Sequence, residues 1–483
     1  MSNSLPLNLP HKPSEQGDTS YTKKVIISWL QRGTKFLPFA NAATEDLPLS
    51  RLLRLSLFQV SVGMALALLI GTLNRVMIVE LHVPASWVSV MVAMPIVVAP
   101  FRALIGFRSD VHQSELGWKR VPFIWRGTMI QFGGLAIMPF ALLVLSGMGQ
   151  ASKAPEWVGH FGAGVAFLLV GAGLHTTQTA GLALATDLAP EESRPKVVGL
   201  MYVMLLIGMM ISAIIFGLIL KDFTPGRLIQ VIQAAAVITI VLNVIALWKQ
   251  ESRAKKPSNS IEQAQSFKDS WVRFCYGGQA VRRLIAVGLG TIAFSMEDIL
   301  LEPYGGEVLH LSVGATTALT ATLALGGLLG FALASNILSK GFDPFRMARI
   351  GAICGIPAFL AVIVSAPLAS TVLFATGIFS IGFGAGLFGH GTLTATMNLA
   401  PPGQSGLALG AWGAVQATAA GIAIAASGIV RDVIDSIYQA PIGYNTVYCV
   451  EIAMLLITII TMTPLMRKNP QIGHQSNISN NLR

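Results

Sequence analysis

Charge is what this chain has least of. Only 12% of its 483 residues are Asp, Glu, Lys or Arg, against 53% hydrophobic residues and a mean hydropathy of +0.64. Soluble domains carry about 25% charge, so the composition defines an integral membrane protein. Cysteine is scarce too: Cys275, Cys354 and Cys449 lie far apart, with no CxxC pair. That excludes a disulfide framework and a cysteine-based metal site. Also missing are GxxxxGK[ST], HExxH, GxSxG and any Asp-rich prenyltransferase motif, so catalysis is not expected. No cleavable signal is visible, because the first 50 residues are polar and the first long apolar run starts near Leu52. The formal net charge of +10 does not indicate nucleic acid. Its basic residues cluster between apolar runs, as in loops that face an anionic lipid leaflet.

What is present is a series of twelve apolar runs, at about 53–79, 87–107, 123–147, 158–186, 196–220, 228–248, 284–302, 314–338, 346–366, 371–397, 405–430 and 445–466. Each is long enough to span a bilayer. Lys and Arg crowd one set of alternate loops. The other face has only Lys153, Lys221, Arg227 and Arg431, with Arg75 near that end of the first span. This asymmetry predicts both termini in the cytoplasm. The expected organisation is a cytoplasmic tail (1–50), a six-helix bundle (51–248), a cytoplasmic linker (249–283), a second six-helix bundle (284–466) and a cytoplasmic tail (467–483). Within the first tail, residues 23–38 place Ile26, Trp29, Leu30, Gly33 and Leu37 on one helical face. That pattern suits a short surface helix or one packed on its own bundle.

The halves repeat. Gly171-Ala172-Gly173, Leu188-Ala189-Pro190 and Gly199 recur as Gly382-Phe383-Gly384, Leu399-Ala400-Pro401 and Gly410, at a constant offset of 211. Spans 1 and 7 match at an offset of 222, which aligns Arg75 with Glu297 and Glu80 with Glu302; Leu81-His82 recurs as Leu309-His310, at 228. Six plus six spans with a long central loop is the architecture of the major facilitator superfamily, whose halves are parallel repeats. The loop Gly106-Phe107-Arg108-Ser109-Asp110…Gly117-Trp118-Lys119-Arg120 resembles a stretched form of that superfamily's Gly-x-x-x-Asp…Gly-Arg-Lys latch. The counterpart at Lys340–Arg346 is further degraded.

Five charges toward the far ends of spans 1 and 7 bear most on function. Glu297, thirteen residues past Leu284, lies roughly 20 Å into a hydrocarbon layer of about 30 Å. Glu297, Asp298 and Glu302 on span 7, and Arg75 and Glu80 on span 1, are therefore expected to face the interior. Arg75 is expected to pair with Glu297, Asp298 or Glu302, as a structural ion pair or as a proton-coupled gate. On the cytoplasmic side, Arg102, Asp110, Arg126 and Asp187 form the expected network, with Arg102 and Arg126 serving Asp187. His175, beside Gln178, and His390 lie in glycine-rich stretches of spans 4 and 10. A neutral imidazole can ligate a metal, including a chlorin magnesium, and small neighbours admit a flat macrocycle. Equally, such glycines serve helix packing and such histidines are hydrogen-bonded. No other metal site is indicated.

Phe101–Asp110, Gly117–Pro122, His175–Asp187 and Asp298–Gly306 together resemble the PucC/LhaA family, the light-harvesting-complex assembly or bacteriochlorophyll-delivery branch of the major facilitator superfamily in photosynthetic bacteria. The likeness covers about residues 50–466. It implies a protein of the photosynthetic membrane (thylakoid, intracytoplasmic or inner) that helps assemble chlorophyll-binding antenna or photosystem proteins. Chlorophyll or bacteriochlorophyll, and carotenoid, are the implied ligands; nucleic acid is not a partner. The alternative function is a secondary transporter of a pigment, precursor or other solute, and a ligand-free scaffold is the third.

Overall fold

The computed structural model describes residues 42–466 except 44–46, 100, 103–104, 106–107, 110–113, 115–116, 148–152, 154, 191–192, 252–279, 399–404 and 439–440. The 23–38 segment, Asp110, most of the linker and the tail after 466 lie outside the described residues. Among the described residues there are only helices, and eleven are long and apolar enough to cross a membrane. In chain order these are α1 Leu49–Glu80, α3 Val121–Leu145, α4 Glu156–Leu188, α5 Arg194–Ile219, α6 Pro225–Leu247, α7 (below), α8 Val313–Leu338, α9 Pro344–Ser365, α10 Thr371–Asn398, α11 Ser405–Asp435 and α12 Ile442–Met462. The shorter apolar helix Ala85–Val98 is α2, with helical positions continuing at 101–102, 105 and 108–109.

Local chemistry sets the helix starts. Thr224, Ser312 and Asp343 accept backbone N–H bonds from Arg227, Ala315 and Phe345, and Pro225 and Pro344 follow their caps at the first helical position. The helices are apolar on most faces, because their outer sides meet lipid rather than water.

Besides the 3-10 stretch Met94–Val98 of α2, two central helices depart from regular α geometry. In α1, π-helical turns occupy Ala67–Leu73 and Val76–Glu80. The expectation of one unbroken helix through 302 fails for α7. It runs over Ala280–Ala293, passes through a 3-10 turn at Glu297–Ile299, and resumes at Leu301–Glu307 (α7b). Placing four acids within eleven residues leaves an apolar helix few ways to satisfy them. Breaking the ladder turns both backbone and carboxyls toward partners. In α1 and α7, 83% and 67% of the most apolar stretch is buried, against 22% in α12, so these two helices form the inner layer.

The duplication is visible in packing. In the first half α1 packs on α5 and α6, and α3 on α4 and α6; in the second α7 packs on α11 and α12, and α9 on α10 and α12. Every pair recurs six helices later. The ends of α1 and α7 repeat as well. His82 and His310 both take a left-handed backbone, with φ of 53° and 54°. Each is followed by a bond closing six residues back, Val83 N–H to Met77 O and Leu311 N–H to Gly305 O, both 2.9 Å. These are matching left-handed C-terminal caps, closed one residue wider than a Schellman motif, and His tolerates positive φ better than most side chains do. The halves meet where α5 packs on α8 and α2 on α11.

Candidate functional site

The face where the described chain begins at α1 and ends after α12, its terminal face, is tied by side chains to backbone. The Glu251 carboxylate accepts from the N–H groups of Lys119 (2.8 Å), Arg120 (3.1 Å) and Val121 (3.0 Å), capping α3. Asp187, which closes α4, pairs with Arg120 Nε at 3.0 Å, and Arg120 also reaches the Ser109 hydroxyl. The expected Arg102/Arg126–Asp187 network is not made. Arg126 is exposed over the Phe123 ring, because two residues along a helix is about 200° from the buried Ile124. Arg102 turns inward instead.

Arg102 opens the seam between the halves. Its Nε donates to Thr179 Oγ1 at 3.1 Å and its Nη2 to Gln178 Oε1 at 3.0 Å. His175, one turn earlier on α4, feels the same guanidinium, as does Tyr202 of α5. Tyr202 meets two rings of the other half, Phe331 of α8 at 6.4 Å and, edge-on, Trp412 of α11 at 6.2 Å. Phe331 in turn lies 4.2 Å from the His390 ring. Trp412 Nε1 donates to Thr392 Oγ1 at 3.3 Å. The two histidines predicted from sequence thus lie on opposite walls of one seam, bridged by an aromatic layer that spacing did not reveal. The buried His175 Nδ1 makes no hydrogen bond.

Most glycines around these histidines serve helix packing. A Cβ on Gly173 would lie 2.5 Å from Gly127 O, and one on Gly382 or Gly386 would lie 2.1 or 2.4 Å from a carbonyl of α8. Gly389 is different, since nothing lies within 4 Å of its Cβ position.

The inner acids divide into separate sites. Arg75 does not pair with Glu297, Asp298 or Glu302. Its carboxylate partner is Glu80 on its own helix, and its Nη2 donates to Leu311 O at 3.2 Å in the other half. The π turns explain the difference: closing the ladder at i+5 brings residues five apart onto one face. Glu302 accepts from Thr320 and, at 3.5 Å, from Thr317 of α8, pressed against Gly71 of α1. Glu297 is buried at the break in α7. Its backbone N–H donates to Glu451 Oε1 of α12 at 2.6 Å, and Glu451 has no exposed surface. Asp298 beside it is half-buried.

At the face opposite the termini, Arg431 of α11 gathers Glu307 (2.7 Å), Asp432 (2.9 Å) and Asp435 (3.5 Å), and stacks over the Tyr444 ring at 4.7 Å. Tyr444 Oη donates to Glu307 at 2.8 Å, and Asp432 accepts from Ser86 N–H of α2 at 2.7 Å. This lock joins the halves. Sequence reading assigned Arg431 to a loop and did not single out Glu451. The available signal was slight: Glu451 is the one charged residue in Ile442–Met462.

Two halves repeated about a central seam, with charges buried inside, define a membrane protein of the major facilitator superfamily fold. The chain superposes on a D-xylose–proton symporter with a TM-score of 0.65, at 15% identity over 85% of this chain and 96% of that one. For the nucleoside transporter NupG the TM-score is 0.62, at 14% identity over 86% and 99%. Within that fold the chain belongs to the PUCC protein family, which it matches over residues 72–469. It is 62% identical over 405 residues to Protein PucC of Rhodovulum sulfidophilum, covering 83% of this chain and 89% of that one. A Rhodobacter capsulatus protein described as an uncharacterized protein in the puhA-bchM intergenic region is 52% identical, over 91% and 95% of the two chains. The Bacteriochlorophyll synthase 44.5 kDa chain of the same species is 26% identical, over 77% and 85%.

Proposed function

We propose that this protein is a non-catalytic assembly factor of the photosynthetic membrane, handling chlorophyll or bacteriochlorophyll for antenna or photosystem polypeptides. The observation that carries this reading is kinship with PucC proteins over nearly their whole length, with a more distant relative named as a bacteriochlorophyll synthase chain. The seam supplies a fitting place. His175 offers a buried nitrogen without a hydrogen bond, Gly389 leaves open space beside His390, and Tyr202, Phe331 and Trp412 give aromatic walls for a flat ring. His175 or His390 would ligate magnesium. Arg102 would meet a polar edge of the pigment while keeping Gln178 and Thr179 in place. The Lys- and Arg-rich face, with both termini, lies in the cytoplasm in this reading.

The test is purification of the full chain in mild detergent from a pigment-producing host. The expected eluate carries a chlorin absorption band and an antenna or photosystem polypeptide; an eluate with neither overturns the reading. His175→Phe should at least halve the pigment:protein ratio. An unchanged ratio in both His175→Phe and His390→Phe would remove axial ligation by histidine. The second reading, secondary transport, is favoured by the fold and by the buried acids of α7. Proton-dependent uptake into vesicles, abolished by Glu297→Gln, would support it.

A further inference from the structure

The Glu297–Glu451 contact lies apart from the seam histidines and is not explained by pigment handling. Glu297 is held at the break of α7, in the 3-10 turn between its two helical parts. Glu451 comes from mid-α12, nine residues after its first residue, Ile442. One Glu451 oxygen takes the Glu297 N–H at 2.6 Å, and the two side-chain carboxyls are within hydrogen-bonding reach of each other. Glu297 Oε2 and Glu451 Oε2 are buried without any other partner. A third group points the same way. Tyr448, one turn before Glu451, is fully buried, and its hydroxyl has no hydrogen-bond partner.

Among the described residues, the surroundings hold no cation that is not already paired with another acid. From α12 come Tyr444, Tyr448 and Glu451; from α7b, Tyr304 and Glu302; from α1, Asn74 and Arg75. Arg75 is taken by Glu80, Tyr444 by Glu307, and Tyr304 donates to Val362 O of α9. Asn74 donates to Ile299 O at 3.0 Å, steadying the turn without adding charge. The charges of α11 (Arg431, Asp432, Asp435) belong to the lock. Among the described residues no group of acids and histidines is arranged to hold a metal ion. Two carboxyls in contact can hydrogen-bond only if one of them carries a proton, and two bare carboxylates there would repel with little solvent screening.

We propose that Glu297 and Glu451 form a proton-binding site, in which one shared proton holds the broken end of α7 against α12. The half-buried Asp298 is the route by which that proton exchanges with the interior. Loss of the proton leaves two like charges across the α7–α12 contact and loosens α7b. Because α7b carries Glu307, the site is linked through the same short helix to the Arg431 lock.

The test is infrared spectroscopy of the full chain in lipid vesicles. A protonated-carboxyl C=O band is expected at neutral pH, shifted by Glu297→Gln and by Glu451→Gln and lost in the double variant. A wild-type minus double-variant spectrum without such a band overturns the proposal. Hydrogen exchange of residues 294–307, corrected for intrinsic rates, gives a second reading that needs no variant. Protection should fall at least tenfold as pH rises through the range where the band disappears. A band that titrates with no change in protection would overturn the link to α7. Neither measurement involves pigment, so failure here is distinguishable from failure of the assembly-factor reading.

Discussion

Gly428→Ala tests whether the α2–α11 contact closes the face opposite the termini. A Cβ at Gly428 would lie 2.3 Å from Ser89 Oγ, 2.5 Å from Ser89 Cβ and 2.5 Å from Ala85 O. The hydroxyl could turn aside by giving up its bonds to Ser86 O and Ala425 O, but the carbonyl belongs to the α2 backbone. Ordinary contact begins at 3.4 Å, so the two helices must part by about 1 Å. Overpacking of this kind costs about 1–3 kcal/mol. Alanine also gains up to about 1 kcal/mol of helix propensity over glycine. Gly413, on the same helix, removes that complication: its Cβ position meets nothing within 4 Å, so Gly413→Ala collects the propensity term alone. The difference between the two variants isolates the steric cost, equivalent to roughly 5- to 150-fold in the closed–open equilibrium. The assay is maleimide labelling of Val88→Cys, a fully buried position on α2, with the native cysteines replaced by serine. Labelling should quicken by that factor with Gly428→Ala relative to Gly413→Ala, and thermal stability should fall in step. Equal labelling and equal stability would refute the closure.

Two further outcomes follow from the charge pairings. Glu80→Leu leaves a nearly buried guanidinium with only the Leu311 carbonyl, which should cost on the order of 3 kcal/mol of thermal stability. Arg75→Leu combined with Glu80→Leu should recover most of that loss while Arg75→Leu with Glu297→Leu should not, a contrast read directly by a double-mutant cycle. Glu251→Ala removes the acceptor for three N–H groups at the start of α3 and should lower stability by about 1–2 kcal/mol, measured by thermal unfolding in detergent.

Much of this was legible because it depends on period and repetition. An apolar run long enough to span a bilayer sets α8 to within a residue of its predicted start, and α3 to within two. The recurrence of Leu81-His82 at Leu309-His310 marks a backbone feature, the paired left-handed caps, that a constant offset can find. The partners of Arg75 and Arg102 were not legible. Face-sharing on a helix is inferred from 3.6 residues per turn, and the π turns of α1 change that geometry next to Arg75. Arg102 and Asp187 were grouped by membrane depth, whereas rotation about the helix axis decides contact. Glu451 had no period or neighbour to announce it, and became meaningful only when the break in α7 placed Glu297 beside it. Glycine density near His390 could signal a macrocycle or a helix neighbour, and the carbonyls that would lie within 2.5 Å of a Cβ on Gly382 or Gly386 assign those two to the neighbour.

The two ends of the seam are closed by different forces, and that difference gives the fold a direction. On the face opposite the termini the halves are joined by Ser86 N–H to Asp432, by Arg75 to Leu311 O, and by Gly217 on Gly314, where a Cβ would lie 2.6 Å from the facing carbonyl. Parting those contacts takes one hydrogen bond from each of two charged groups while the ion pairs Arg75–Glu80 and Arg431–Asp432 stay within their own halves, a cost of about 1.5–3 kcal/mol per bond that arises at the first separation. Toward the terminal face the layer is Tyr202, Phe331 and Trp412, whose cross-half contacts are between ring faces and edges. Opening there costs in proportion to the apolar area exposed, and a flat apolar ligand or a hydrophobic helix can replace that area as it enters. On the assembly-factor reading, admission from the terminal face would therefore be the less costly motion for an apolar guest. If Glu297 and Glu451 share a proton as proposed, its loss is the change in charge that would loosen the opposite face, because α7b carries Glu307 of the Arg431 lock.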